Sequence, residues 1–507
     1  MPFSVVDFQG TSSSSSSTTI TANQRTNRPR KRSVINIDAG NKSDEHYKSK
    51  FSPFRYRFRS ILLPLIRAET PILFKIQSLL RCKVFDLYFS WTANLAAHTF
   101  YVLILPIPIW FGSAELTRDL VWVLGFGVFF TGCLKDYFCL PRPRSPPVHR
   151  ITMSGYTAKE YGLPSSHSAN ATGAALIFLV YLYEKIQNNK IDNNNSINND
   201  SFILEYFSIF LIFVYYFSLL FGRIYCGMHG FLDLLFGSLI GIFCVIFRLL
   251  IKEHWDNFVF NFDLKLGLVS ILIPVSIISI TGILIHFHAE PVDDCPCFDD
   301  SVAFIGVVSG LEITHWLYSK SKYVLPIEYQ DSKISTYYSY DQLGLVGSIL
   351  RVVLGAILVL IWKTFSKKII YLILPRIYKK INIYVPRRFF RPVSRISSEK
   401  EYETIYENLL SKDNISKSDL TFGKLDDKQG PASMSDYYEV LSTSKNAREL
   451  EHDLDLKNRT YPACVALRPR YDVEVVGRLI VYAGIPFMAV FGFAVATRLV
   501  GLECAAR

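Results

Sequence analysis

The sequence predicts an all-α membrane protein, a polytopic bundle of eight or nine spanning helices. Half of the 507 residues are apolar and only 20 % are charged. The apolar residues occur in runs of about 20, the length that a helix needs to cross the hydrocarbon core of a bilayer. A soluble chain of this length would instead divide into several domains with alternating apolar and polar positions.

Nine apolar segments are the predicted spans. The seventh contains Glu312 and His315, and ionisable residues at membrane depth are either functional or make polar contacts within the bundle. The sequence gives these two interpretations equal weight. The segments are residues 92–110, 120–138, 166–183, 202–221, 231–251, 267–287, 302–318, 343–362 and 475–499.

The remaining residues divide the chain into four regions. Residues 1–82 are predicted to be a basic N-terminal tail, disordered up to residue 50 and continuing as two interfacial helices broken at Pro64 and Pro71. Residues 83–320 would form the membrane core. Residues 321–474 would hold the eighth span and a long polar and basic insertion, and residues 475–507 the last span.

The charge and the cysteines exclude several classes of protein. The net charge of +11 comes from basic residues that flank apolar segments, which is typical of membrane anchoring and argues against a nucleic-acid partner. The nine cysteines include no CxxC pair and no metal-ligand spacing. Cys295 and Cys297 lie in a polar loop, and the sequence leaves open whether they form a disulfide.

Three polar clusters lie at the ends of predicted spans, at residues 135–143, 164–168 and 223–233. The order of the spans places all three on one side of the membrane. In the third cluster, His229 and Asp233 are four residues apart at the start of a helix and therefore share a face. The carboxylate would fix the imidazole tautomer and leave the other ring nitrogen as a nucleophile.

The other two clusters favour a phosphoryl group as the ligand. A helix that begins at Ser166 would offer its free N–H groups to phosphate oxygens, and His167 lies close enough to protonate a leaving oxygen. No carboxylate cluster accompanies the histidines, so neither a metal nor a cofactor is predicted. The predicted phosphate-binding residues are Lys135, Arg142, Ser165, Ser166 and Arg223.

These motifs resemble those of a known family. The pattern Lys-x6-Arg-Pro, Pro-Ser-x-His and Arg-x5-His-x3-Asp is similar to that of the type 2 phosphatidic acid phosphatase superfamily, over roughly residues 85–250. Within it, the stretches PSSHS, YCGMHG and EPVDDCPCFDDS most resemble the fungal long-chain-base 1-phosphate phosphatases of the endoplasmic reticulum.

The resemblance implies a mechanism and a location. His229 would attack phosphorus to form a phosphohistidine, Asp233 would orient it, and His167 would protonate the leaving alkoxide and then activate water. The substrate would be a sphingoid base 1-phosphate. The protein would lie in the endoplasmic reticulum membrane among membrane lipids, with its site facing the lumen. The sequence predicts no oligomeric state.

Discrimination by the substrate amine would need an acceptor near the phosphate pocket. The sequence offers Glu312, Asp293 and Asp294 as candidates. The alternatives that remain are a broad-range lipid phosphate or polyisoprenyl pyrophosphate phosphatase, and a lipid-phosphate binder or transporter without activity. The presence of both histidines and of Asp233 favours an enzyme.

Overall fold

The computed structural model of the chain is helical in every regular element that it describes. The described residues are 39–42, 44–96, 98–152, 160–192, 199–261, 269–289, 291–293, 295–321, 337–380 and 473–504. The helices are α1 (Asp44–Lys50), α2 (Pro53–Leu80), α3 (Lys83–Thr92), α4 (His98–Ile104), α5 (Ile107–Trp110), α6 (Ala114–Phe138), α7 (Ser166–Asp192), α8 (Asn199–Tyr225), α9 (Phe231–Asp256), α10 (Leu272–Phe287), α11 (Cys297–Ser319), α12 (Tyr340–Lys380), α13 (Val473–Phe487) and α14 (Phe493–Val500).

The predicted multi-pass architecture is confirmed, although the number of spans is approximate. By length and composition, six helices in the described part of the chain can cross a membrane, and a bent pair would make a seventh. That pair, Lys83–Leu95 and Phe100–Trp110, bends by 58°, where a single span from residue 92 was predicted. The other two predicted spans correspond to α7, whose first turns are polar, and to α10, which has only 16 residues.

Helix α11 lies at the centre of the bundle. It packs along α6 on one side and along α13 on the other, while α7 packs between α6 and α9. Helices α6 and α11 are buried along most of their length. Lipid would therefore surround the other helices, whose large apolar side chains are exposed, as on α8 and α9.

The prediction of disorder up to residue 50 is wrong for residues 39–50, except residue 43, while residues 1–38 lie outside the described part. Asp293 anchors this segment by accepting hydrogen bonds from the Gly40 amide (2.9 Å) and the Tyr47 hydroxyl (2.6 Å). Burial alone would raise the pKa of Asp293. The hydrogen bonds from His46 and Tyr47 and the charge of Lys42 nevertheless hold it below its usual range.

Helix α2 is continuous through Pro64 and Pro71, where we predicted two helices. An internal proline costs a helix about 3 kcal/mol, so contacts elsewhere must offset this cost. Arg59 donates to the carbonyl oxygens of Gly40 (2.7 Å) and Cys139, and Gln77 donates to those of His149 and Tyr225, both at 2.7 Å. These contacts fix α2 across the end of the bundle that holds the three polar clusters.

The helices that flank residues 381–472, α12 before and α13 after, meet at the end of the bundle that holds the three polar clusters. The Tyr371 hydroxyl of α12 donates to the carbonyl of Glu474 (3.3 Å), and Arg478 of α13 pairs with Asp299 (3.1 Å) at the start of α11. Helix α12 extends to Lys380, so the first part of the predicted insertion is helical. The rest of the insertion lies outside the described residues.

The opposite end of the bundle holds a buried ion cluster centred on Glu312. Its carboxylate accepts two bonds from Arg118, at 2.7 and 3.3 Å, and one each from the indoles of Trp122 (2.7 Å) and Trp255 (3.0 Å). Arg118 also pairs with Asp256 (3.0 Å). The cluster joins α6, α9 and α11 away from the polar clusters and serves the packing of the bundle.

The Glu312→Ala variant should be markedly less stable than the unmodified protein. Removing one partner of a buried ion pair costs about 3–5 kcal/mol, and Asp256, which still pairs with Arg118, places this loss near the lower value. The measurement is the thermal unfolding midpoint of the detergent-purified protein. Glu115→Gln, at a half-exposed site on the same side, should change the midpoint little. Equal midpoints for the two variants would contradict a stabilising role for the cluster.

Candidate active site

The structure brings the eight predicted catalytic and phosphate-binding residues to one end of the bundle. Lys135 is in the last turn of α6, Arg223 in the last turn of α8, and Asp233 in the first turn of α9. Ser166 begins α7, and its hydroxyl lies 3.4 Å from the Lys135 Nζ. Four helix ends therefore meet at one site, as the order of the spans predicted.

His229 is held in one tautomer by Asp233. Its Nδ1 lies 3.2 Å from the Asp233 Oδ2, which also accepts the amide of Gly230 (3.0 Å). A carboxylate accepts, so Nδ1 carries the proton and Nε2 keeps its lone pair. That lone pair faces the Arg142 guanidinium at 3.0 Å. Burial, followed by the charges of Arg142 and Lys135, lowers the pKa of His229 well below its usual value, so the imidazole is neutral.

The loop before α9 turns sharply at Gly227. Its φ is +62°, a left-handed conformation that L side chains rarely adopt, and a Cβ would overlap the carbonyl of His149. The turn directs the Met228 carbonyl toward Arg142, whose guanidinium donates to it at 2.7 Å. Gly227, which shapes the loop, thus also helps to fix Arg142, one of the predicted phosphate-binding residues.

The start of α7 packs directly against α9. The Ser165 amide donates to the Asp233 carbonyl (2.9 Å), and the Ser168 hydroxyl lies 3.2 Å from the carbonyl of Leu234. Gly237 and Gly241 permit this approach, because a Cβ at either position would overlap the backbone of α7. The Ser165 hydroxyl accepts the Ser168 amide (3.3 Å) and so caps α7.

His167 follows in the first turn of α7, partly exposed and within electrostatic range of His229. This placement agrees with the predicted pair of histidines. One imidazole is buried with its lone pair presented, and the other lies at the rim of the site.

Three buried cations lie near His229, namely Arg142 at 3.0 Å from its Nε2 and, within electrostatic range, Lys135 and Arg223. Arg142 is fixed by the bond to Met228 and by its Nε, which donates to the Glu160 carbonyl (3.0 Å). Burial lowers the pKa of Arg142 to about 10, against the opposing effect of Glu160, and it stays cationic at neutral pH. Arg223 is also buried, and its Nε has no partner within the described part of the chain. Such a group of buried cations is suited to an oxyanion.

Glu160 is a site residue that the sequence analysis missed. Its Oε2 lies 2.5 Å from the Lys135 Nζ and 3.5 Å from the Arg142 guanidinium. The only signal in the sequence was a single acidic residue just ahead of Pro164, between the first and second polar clusters. An isolated glutamate in a loop is usually a solvated residue, whereas this one is only 8 % exposed.

Two of the three predicted contacts for a substrate amine, Glu312 and Asp293, are engaged with other parts of the protein. Glu312 pairs with Arg118 in the ion cluster. Arg118 lies roughly 25 Å along α6 from Lys135 of the site, at a rise of 1.5 Å per residue, so Glu312 is remote from the site. The structure corrects its predicted role, since Glu312 lies late in α11, whose N-terminus is at the active-site end. Asp293 is engaged with the N-terminal segment, which contradicts its assignment, and Asp294 lies outside the described residues.

One group of possible metal ligands occurs among the residues described. It consists of Asp136, Cys295 and Cys297, and it contains none of the predicted site residues. The two cysteines are joined in a disulfide, which answers the question that the sequence left open.

Comparisons with known proteins agree with this geometry. Residues 116–256 match the model of the PAP2 superfamily. A dihydrosphingosine 1-phosphate phosphatase of Saccharomyces cerevisiae is 38 % identical over 346 residues, covering 68 % of this chain and 78 % of the relative. One of Schizosaccharomyces pombe is 31 % identical, over 86 % of this chain and 89 % of the relative.

A more distant relative covers a similar share of the chain as the Saccharomyces cerevisiae protein. A probable sphingosine-1-phosphate phosphatase of Dictyostelium discoideum is 29 % identical, over 68 % of this chain and 81 % of the relative. No solved structure shows significant similarity. The family match and the two yeast relatives show that this chain belongs to the PAP2 superfamily.

Proposed function

We propose that this protein hydrolyses sphingoid base 1-phosphates, such as dihydrosphingosine 1-phosphate and phytosphingosine 1-phosphate, to the free base and phosphate. The observation that carries the proposal is the neutral His229 at the end of a membrane bundle. Its Nε2 lone pair faces the buried Arg142 at 3.0 Å, and the buried cations Lys135 and Arg223 lie within electrostatic range. The names of the relatives supply the substrate class.

The reaction proceeds in two displacements. The Nε2 of His229 attacks phosphorus, the bond to the ester oxygen breaks, and His167 gives that oxygen its proton. Water then attacks the phosphohistidine, and His167 takes a proton from it as phosphate leaves and His229 is regenerated. Asp233 accepts the hydrogen bond from Nδ1–H throughout and stabilises the positive charge that develops on the imidazole.

The cations stabilise the transferring phosphoryl group. Lys135, Arg142 and Arg223 would bind its oxygens, together with the Ser165 hydroxyl and the backbone N–H of Ser166 at the start of α7. The Arg142 guanidinium, now on the Nε2 of His229, would move to a phosphate oxygen when substrate binds. This exchange frees the lone pair for attack, because the phosphate is the stronger acceptor.

Phosphate release from a panel of lipid phosphates tests the proposal. Purified protein in mixed micelles should cleave dihydrosphingosine 1-phosphate and phytosphingosine 1-phosphate much faster than phosphatidic acid or ceramide 1-phosphate. Equal rates on all four would indicate a broad-range lipid phosphatase. Release of phosphate only from polyisoprenyl pyrophosphate would assign the other enzyme class. Binding without any turnover would indicate a lipid-phosphate binder or transporter.

The His229→Ala variant should form no phosphoenzyme, because it lacks the Nε2 lone pair that Asp233 holds ready for attack. His167→Ala should turn over slowly, by roughly 10²–10⁴-fold, yet still accumulate phosphoenzyme from p-nitrophenyl phosphate, whose leaving group needs no proton. The measurement is acid-labile label after a rapid quench. Label retained by His229→Ala would refute its role.

The same experiment has an expected pH dependence. A lowered pKa means that His229 binds a proton only at pH values below its usual pKa of about 6.5. Phosphoenzyme formation from p-nitrophenyl phosphate should therefore persist as the pH falls through 6.5. A midpoint of loss at that value would show that His229 titrates normally.

We also propose that the site faces the lumen of the endoplasmic reticulum, in keeping with the family resemblance. Both ends of segment 381–472 lie on the active-site side, so its sequons at Asn414 and Asn458 should receive glycans, which are added only in the lumen. Those at Asn194 and Asn199, on the opposite side, should not. A shift in electrophoretic mobility with endoglycosidase, lost in Asn→Gln variants, measures this. Glycans on Asn194 or Asn199 would reverse the orientation.

A further inference from the structure

We propose that Glu160 binds the ammonium group of the sphingoid base phosphate and thereby selects against lipid phosphates that lack a free amine. This inference rests on the proposed function and assigns the specificity of the same site. It replaces the acidic residues that the sequence suggested for this role.

Glu160 is the described carboxylate that contacts the phosphate-binding cations. Its Oε2 pairs with Lys135 at 2.5 Å and with Arg142 at 3.5 Å, and it lies within electrostatic range of Arg223. Asp233 is engaged with His229 and the Gly230 amide. Glu69, another acidic residue near the site, accepts the Leu232 amide (2.9 Å) and so holds the start of α9.

The Glu160 carboxylate is held in place by its own backbone. The carbonyl of Glu160 accepts the Nε of Arg142 (3.0 Å), and the Gly162 amide donates to Leu140 (2.8 Å). The intervening Tyr161 is fully buried, and its hydroxyl accepts the Asp293 amide (2.9 Å). The carboxylate therefore has little freedom to withdraw when an anion enters.

A phosphate group must take over the cations that Glu160 now neutralises. Lys135 and Arg142 would turn to the phosphate oxygens, and the buried Glu160 would be left beside a second anion. An uncompensated buried charge is costly, and like charges at close range repel. A substrate without a cation thus meets repulsion at this position.

A sphingoid base phosphate supplies the missing charge. Its ammonium group is on the second carbon from the ester oxygen, so it lies close to the phosphate by covalent geometry. Placed against Glu160, it replaces the lysine and arginine that have moved to the phosphate. In ceramide 1-phosphate this amine is acylated and neutral, and phosphatidic acid has none. One carboxylate therefore both attracts the correct substrate and repels the others.

The test compares two substrates that share a saturated C18 chain, dihydrosphingosine 1-phosphate and octadecyl phosphate, which lacks the amine. The selectivity is the ratio of their kcat/KM values. Glu160→Gln should lower this ratio by about tenfold or more, the effect of removing a charged partner from a buried bond. The kcat/KM for octadecyl phosphate should not fall. Glu115→Gln, at the opposite end of the bundle, should leave both values unchanged.

Inhibition by vanadate provides an independent readout. This oxyanion carries no ammonium group, so it meets the repulsion from Glu160 without compensation. Glu160→Gln should therefore bind vanadate more tightly than the unmodified protein. If Glu160 only orders Lys135 and Arg142, its loss would weaken the binding of vanadate and would reduce kcat/KM for both substrates alike. That result would overturn the inference.

Glu160→Asp keeps the charge but withdraws it by one methylene, so its selectivity should lie between those of the unmodified protein and Glu160→Gln. Where Glu160→Gln does not fold, an unchanged ratio in Glu160→Asp overturns the inference. If the unmodified protein releases no phosphate from any lipid, the proposed function itself is wrong. If Glu160→Gln keeps the preference for the amine substrate, the proposed function stands and only the role of Glu160 is wrong.

Discussion

The close approach of α7 and α9 is the contact on which the active site depends. Gly237 and Gly241 are four residues apart, and small residues at this spacing let two helices in a bilayer pack backbone against backbone. The Ser165 amide can then reach the Asp233 carbonyl at 2.9 Å. As a result, backbone contacts hold the N-terminus of α7 against the first turns of α9, and the distance between them does not depend on any flexible side chain.

The two ends of the bundle use buried charge in different ways. At the far end, Arg118 and Glu312 make a bidentate pair, and Arg248 pairs with Asp119 at 2.8 Å. Each charge there has a partner, so the cluster joins helices without attracting an ion. At the active-site end the cations exceed the carboxylate that faces them. The excess leaves a positive potential inside a low-dielectric wall, which concentrates an anionic headgroup at the site.

Much of the site could be predicted because its residues lie at the ends of apolar runs, where span order decides which side they share. His229 and Asp233 followed from their helical spacing together with their position at the end of a span, beside two other polar clusters. Glu160 could not be predicted in this way, since it lies in an irregular loop and its role depends on contacts across the chain. The continuity of α2 was also missed, because tertiary hydrogen bonds from Arg59 and Gln77 outweigh the local effect of two prolines.

Helix α2 changes what counts as the catalytic unit. The family match spans residues 116–256, yet the amide at the start of the helix that carries Asp233 is bound by Glu69, far outside that segment. Helix α2 is thus a structural part of the active-site region and lies across this end of the bundle. Any event that detaches α2 would remove the bond from Glu69 and so loosen the first turn of α9, which carries Asp233.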